Sequence, residues 1–463
     1  MVKTPPMLTK KIIKNALLLT VLFNTVNCLA SANDKITQIL ARKDQARVKF
    51  GILIAESNSS NVIFARNENL ALIPASNMKL VTSFTALKYL GSQFEFVTTA
   101  SLAGKNLVVV GSGDPLLGTD GDDFISRIAS SLKEKNITEI ENVIVDSSVF
   151  EDIRSHSNWP PDQINRPYAC EVSGMNYNAN CIRIHATNSG GHIVLSTEPQ
   201  TNFVTFINKV QPSGKDSAIG CFRTEKENVL IVNGRCKKST SFDVAIENPA
   251  AFFGTLLTEN LNKAGITVTG KLLVVPAGNE PAQLLVEQRT PIIEALKQCN
   301  KDSFQLAAES FLKTLGAKQI TGGKGGSWQG GQKVIADYLT SLGAEPNSFV
   351  IDDGSGLSSK NKLTAANIVR VISDAHATGL WPIFRPTLAE GGVDGTLRKY
   401  FYQNKYRGKV FAKTGFINGV RALSGSFIAG DKEYMFSILA NNANGSTKAA
   451  MYDIIKAIID DGK

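Results

Sequence analysis

The chain is poor in the residues that run most hydrolases. Of its 463 residues only four are histidine, His156, His185, His192 and His376. None falls in a His-Glu-x-x-His pair or accompanies a Gly-x-Ser-x-Gly elbow, so metal hydrolysis and Ser-His-Asp catalysis lose their usual carriers. The expected metal and cofactor complement is none. Long apolar runs are missing too: Ala16 to Val26 is interrupted by Thr20, Asn24 and Thr25, and no later segment could span a membrane. No block of Lys and Arg carries interleaved aromatics, which argues against a nucleic-acid partner.

At the start, Lys3, Lys10, Lys11 and Lys14 precede that apolar run, and Ala30-Ser31-Ala32 offers a small-x-small cleavage site. Residues 1–32 therefore read as a secretory signal peptide, and the mature chain is expected in the periplasm. The leader holds four of the charges behind the net +9, leaving 9 − 4 = +5. That mildly basic surface suits an anionic polymer such as a bacterial wall. Of six cysteines, Cys170, Cys181, Cys221, Cys236 and Cys299 follow the leader, an odd number for an oxidising compartment. Cys221 to Cys236 reads as strand, turn, strand, so a bridge is expected there. Cys170 and Cys181 flank a short loop and form a second expected pair, with Cys299 left as a small buried residue.

Ser76-Asn77-Met78-Lys79 is one of four Ser-x-x-Lys tetrads; the others are Ser130/Lys133, Ser310/Lys313 and Ser359/Lys362. For those three the ordinary reading is a solvated helix face. Ser76 differs in context. Two strands, Val48 to Glu56 and Asn61 to Ala65, come before it, and Met78, Val81, Leu87 and Leu90 keep helical spacing up to Gly91. Residues three apart share a helix face, so Lys79 can reach the Ser76 hydroxyl. A serine hydroxyl is a weak nucleophile until a neighbouring base takes its proton, and a lysine serves only if burial lowers its pKa.

Far downstream, Lys413-Thr414-Gly415 sits on a strand, Val410 to Thr414, followed by the turn Ile417 to Gly419 and two antiparallel neighbours. From an exposed edge, Lys413 could hold a substrate carboxylate and Thr414 add a hydroxyl, while Gly415 admits the substrate backbone. The N–H groups of Ser76 and Phe416 would then form an oxyanion hole. About 430 mature residues exceed one core. Texture changes near 99 and again after Val275 predict a discontinuous domain, 33–98 plus 278–463, with 99–277 inserted. The glycine-rich run from Thr321 to Gly331 reads as a surface turn, and Met451, Ile454, Ile455 and Ile458 as a helix face packed on a sheet.

Ser-x-x-Lys, a downstream Ser303-Phe304-Gln305 and Lys-Thr-Gly, in that order, resemble the signature of penicillin-binding proteins and serine β-lactamases. With 227 residues between the first two (303 − 76), the chain is similar to class C low-molecular-mass penicillin-binding proteins, the D-alanyl-D-alanine carboxypeptidase/endopeptidases of the penicillin-binding protein 4 type. Gly111 to Pro115, Trp159-Pro160, Asp353 to Ser358 and Asp394 to Arg398 extend the likeness. The resemblance implies an α+β, multi-domain chain whose antiparallel sheet is flanked by helices, with inserted α/β and mostly β domains. It also implies Ser76 as nucleophile, Lys79 as base, Ser303 as proton relay, peptidoglycan peptides as substrate and β-lactams as inhibitors. Gln305 replaces the family's asparagine and adds a methylene. That departure keeps a second reading open, a catalytically weakened wall-binding or scaffold protein, and behind it a serine β-lactamase.

Overall fold

The computed structural model describes residues 31–462 apart from 58, 60, 120, 122 and 279. The expected leader lies outside the described residues except for Ser31 and Ala32. Ser31 caps α1 (Ala32–Leu40) through a reciprocal pair with Asp34: the Asp34 N–H donates to Ser31 Oγ at 3.3 Å and the Ser31 N–H to Asp34 Oδ2 at 3.2 Å.

The chain then lays down β1 (Lys49–Glu56) and β2 (Val62–Arg66), turns through Ala75–Asn77 and enters α2 (Met78–Leu90). Every residue of α2 from Met78 to Leu87 is buried, so the apolar spacing marks a central helix rather than one face. Gly91, at φ 88°, ends it. Next come β3 (Glu95–Ala103), β4 (Asn106–Val110), α3 (Phe124–Glu134), β5 (Glu139–Ile140) and β6 (Val143–Asp146). A β-rich stretch follows: β7 (Cys181–Ser189), β8 (His192–Glu198), β9 (Thr205–Pro212), β10 (Ala218–Arg223), β11 (Val229–Cys236) and β12 (Ser239–Ala245). It forms two three-stranded sheets, ordered β12-β7-β8 and β10-β11-β9.

After α4 (Pro249–Lys263), β13 (Thr267–Val268), β14 (Leu272–Val274) and β15 (Gln283–Pro291) complete a mixed five-stranded sheet, β14-β6-β4-β3-β15, with β13 paired to β5. Because β3 pairs with β15, this sheet takes residues from both sides of the expected 98/99 and 277/278 boundaries. A helical layer follows, α5 (Ile292–Lys301), α6 (Gln305–Gln319), α7 (Trp328–Ser341), α8 (Ala365–Ala377) and α9 (Trp381–Phe384). The chain closes with β16 (Ala389–Glu390), β17 (Val410–Ile417), β18 (Val420–Ala429), β19 (Lys432–Asn441) and α10 (Thr447–Asp461).

The second large sheet runs β16-β17-β18-β19-β1-β2, antiparallel throughout. One face packs on α1 and α10, where Met451, Ile454, Ile455 and Ile458 are buried as the spacing predicts. The other faces the helical layer. No helix among the described residues is long and apolar enough to cross a membrane.

Three expectations change. The five described cysteines are unbridged thiols. In the β10/β11 register Cys221 faces Val232, which leaves Cys236 four positions along its strand, roughly 13 Å away. Between Cys170 and Cys181 the chain is fastened by amides instead: Asn180 Nδ2 donates to Glu171 O and to Asn176 Oδ1, both at 2.8 Å. The glycine-rich run is a turn only in its first part. Gly330 and Gly331 lie inside α7, where a Cβ on Gly331 would stand 2.1 Å from Leu312 O of α6, so glycine is what lets the two helices touch. Finally, Ser310 and Lys313 are not a solvated face. Lys313 is buried, donates to Ile153 O at 2.6 Å, pairs with Glu151 and lies 3.7 Å from the Trp328 ring centroid.

Candidate active site

Ser76 sits in the 3-10 turn that runs directly into α2. Ala75 before it is left-handed at φ 46°. Asn77 behind it is buried and donates from Nδ2 to Ser424 Oγ of β18 at 2.6 Å, tying the turn to the sheet. One helical turn on, Lys79 is wholly buried and its Nζ donates to Ser76 Oγ at 3.3 Å and to Ser355 O at 2.8 Å. Burial pushes the ammonium down to about 8, against a smaller upward pull from the neighbouring Cys299, Asp353 and Glu309. The helix start thus presents a serine beside an amine poised near neutrality.

Across the cleft, Ser303 occupies the link from α5 to α6 in a left-handed conformation, φ 62°. Its Oγ accepts from Lys413 Nζ at 2.9 Å, and the same Nζ donates to Thr414 O at 2.9 Å. Lys413 does not stand out from the edge into solvent: it is fully buried, and burial followed by the Lys79 charge lowers it to about 7. The edge itself is open where the motif lies. β16 covers β17 only at Phe411 and Ala412, leaving Lys413 to Ile417 without a strand on that side. Gly415 is needed there, since a Cβ would come 2.9 Å from Pro74 O beside the turn that carries Ser76.

A third segment, residues 353–358, supports Lys79 from beneath. Asp353 is buried and accepts from the Gly356 N–H, the Ser358 N–H and Asn361 Nδ2, each at 2.7 Å, and from the Trp159 indole at 2.9 Å. Glu309 of α6 accepts from the Ser355 N–H at 2.8 Å, the Gly354 N–H at 3.0 Å and the Trp328 indole at 2.9 Å. Its carboxyl is driven well above the usual carboxylate range by burial and by the Asp353 charge. These two acids fix the carbonyl that orients Lys79.

The two Ser-Lys pairs picked from sequence spacing therefore meet in one cleft. Thr414 Oγ1 donates to Thr396 Oγ1 at 2.9 Å, and Phe416 is 64% exposed at the open edge. Gln305 is the first residue of α6 and lines, with Ser303, a cavity of about 430 Å³ walled by Leu116, Pro167 and Tyr168. Asn77, Glu309 and Thr396 escaped the sequence reading. Short Asp-Gly loops such as 353–356 and 394–396 were visible, but their contacts come only from the fold. Chemically, the arrangement can activate a hydroxyl at Ser76 through Lys79, hold a second hydroxyl at Ser303 on Lys413, and receive an extended peptide along β17.

The same architecture occurs in penicillin binding protein 4 of Haemophilus influenzae, with a TM-score of 0.78, 22% identity, and 90% of this chain and 97% of that one covered. A predatory peptidoglycan endopeptidase of Bdellovibrio bacteriovorus aligns at a TM-score of 0.52 and 16% identity, over 90% and 94% of the two chains. The fold is that of the penicillin-binding DD-peptidases. In sequence, the D-alanyl-D-alanine carboxypeptidase of an Actinomadura species is 27% identical over 434 residues, 88% of this chain and 80% of its own length. The profile of the D-Ala-D-Ala carboxypeptidase 3 (S13) family spans residues 32–460, and the chain belongs to that family.

Proposed function

We propose that the protein is a serine D-alanyl-D-alanine carboxypeptidase/endopeptidase that cuts peptidoglycan stem peptides in the periplasm through an acyl-enzyme. The observation that carries the assignment of roles is Lys79, buried, 3.3 Å from Ser76 Oγ and lowered to about 8. In this reading neutral Lys79 takes the Ser76 proton as Oγ attacks the carbonyl of the penultimate D-alanine. General-base help of this kind gives roughly 10²–10⁴-fold. The proton passes through Ser303 to the leaving amine, the C–N bond breaks, and water then hydrolyses the serine ester.

The substrate backbone would lie along the free edge of β17, with its carboxylate near Lys413 and Thr414. A bound carboxylate raises the pKa of Lys413, so substrate itself would charge that lysine. The N–H groups of Ser76 and Phe416 are the proposed oxyanion donors, and Gln305 supplies the side-chain amide at the cleft mouth. Residues 33–98 and 278–463 act as the catalytic unit, with 99–277 as an accessory insertion joined to it through the β3/β15 pair. A β-lactam would acylate the same serine; the Haemophilus influenzae relative has been solved with one bound.

Mass spectrometry after incubation with benzylpenicillin tests the assignment. We expect one adduct on the peptide holding Ser76, absent from Ser76→Ala. An unmodified wild-type protein, or an adduct elsewhere, would falsify the reading.

A further inference from the structure

Beside the candidate active site, and sharing Thr414 to Phe416 with it, lies a cavity of about 370 Å³ whose far wall, with Tyr400, Arg421 and Lys448, the reaction described above does not use. Alternate residues of a strand point to opposite sides. Lys413 reaches Ser303 and a Cβ on Gly415 would point at Pro74 O, whereas Thr414 and Phe416 line this cavity together with Thr396, Tyr400, Arg421 and Lys448, and Gly415 adds backbone to its wall. It therefore begins at the part of the β17 edge that a substrate would pass on its way out of the cleft.

Its chemistry is one-sided. Among the described residues two cations line it and no carboxylate does. Arg421 sits over Phe416, its Cζ 3.9 Å from the ring centroid, and uses Nη1 on the carbonyls of Val420 at 2.9 Å and Ile417 at 3.4 Å. Those contacts hold the guanidinium in place while its other N–H groups are left for a ligand. Lys448, on α10, donates to the Tyr400 hydroxyl and lies 4.3 Å from that ring's centroid. The Thr396 and Thr414 hydroxyls add polar groups at the end nearest Lys413, and Met451 and Tyr452 give apolar wall. A short aliphatic chain ending in a carboxylate matches that lining.

We propose that this cavity is a subsite for the leaving half of a cross-linked stem peptide, seating a free carboxylate of that half between Arg421 and Lys448. The proposal rests on the peptidase reading and narrows it. A terminal D-alanine ends at Lys413 and Thr414, at the near rim of the cavity, and stops short of Arg421 and Lys448. A cross-link carries more chain past the scissile bond, and its carboxylate meets cations that the monomeric substrate leaves unused. The subsite thus favours endopeptidase over carboxypeptidase cleavage.

Two measurements test it. In Ser76→Ala protein, calorimetric titration with a cross-linked muropeptide dimer should give binding about tenfold weaker when Lys448→Glu is added, or when the free carboxylates of its leaving half are amidated. Lys448→Arg should restore it. In active protein, the ratio of cleavage of a cross-linked muropeptide dimer to cleavage of a pentapeptide monomer should fall about tenfold in Lys448→Glu. Equal titrations for acid and amide, or an unchanged ratio, overturn the subsite. If titration discriminates while active protein cuts neither substrate, the peptidase reading fails and the carboxylate site stands.

Discussion

At Lys79 folding and the proposed chemistry pull in opposite directions, because the burial that would let the amine act as a base also disfavours the charge it carries in the unfolded chain. Its value falls from 10.5 to about 8. Between those pH values the unfolded chain holds a proton that the folded chain has lost, so stability rises with pH across that window and sits on its lower plateau below it. Lys79→Met removes the penalty. We expect its unfolding free energy from urea denaturation to exceed the parent's by up to about 3 kcal/mol at pH 7, with the gap narrowing steadily above pH 8, while penicillin acylation disappears. A gap that does not change with pH would contradict the assigned burial cost. Ser76, Lys79 and Lys413 were picked out by motif and context, and Ser303 by the family resemblance. The burial of Lys413 was not, since Ser303, which receives its ammonium, lies 110 residues away. Lys313 escaped for the same reason, its carbonyl partner lying 160 residues off.

Among the elements, the 353–358 loop is the one whose shape the catalytic turn depends on. Gly356, at φ 80°, passes so near Ala75 that a Cβ would stand 1.9 Å from its carbonyl oxygen. Gly356→Ala combines that clash with a left-handed backbone. We expect a loss of about 1–3 kcal/mol in urea denaturation and at least tenfold slower penicillin acylation, because the turn bearing Ser76 must move. Wild-type acylation in a folded Gly356→Ala protein would show that the loop does not set the nucleophile's position. Strands themselves were readable to within a few residues: Val48 to Glu56 is found as Lys49–Glu56 and Asn61 to Ala65 as Val62–Arg66. Register was not. The unbridged Cys221 and Cys236 follow from a pairing that no local pattern specifies.

Over the whole molecule, the long segment between the first and second motifs is wired into the site. Trp159 donates its indole N–H to Asp353, and nearby Asn158 Nδ2 donates to Asp352 Oδ1 at 3.0 Å. Trp159→Phe keeps the ring and deletes one donor from a buried carboxylate. The expected cost is about 1–3 kcal/mol, accompanied by slower penicillin acylation although the substitution lies 83 residues (159 − 76) from Ser76 in the chain. Unaltered stability and acylation together would make the contact incidental. Composition and texture announced more than one core, but the β3/β15 pairing that joins them depends on residues far apart in the chain.

The Trp159 contact also bears on how such chains can be recombined. A donor segment grafted from a relative between the two motifs would import its own indole or lack one, while Asp353 stays with the recipient. Chimeras should therefore tolerate exchange only when both partners travel together, so this chain is modular in outline and indivisible at that hydrogen bond.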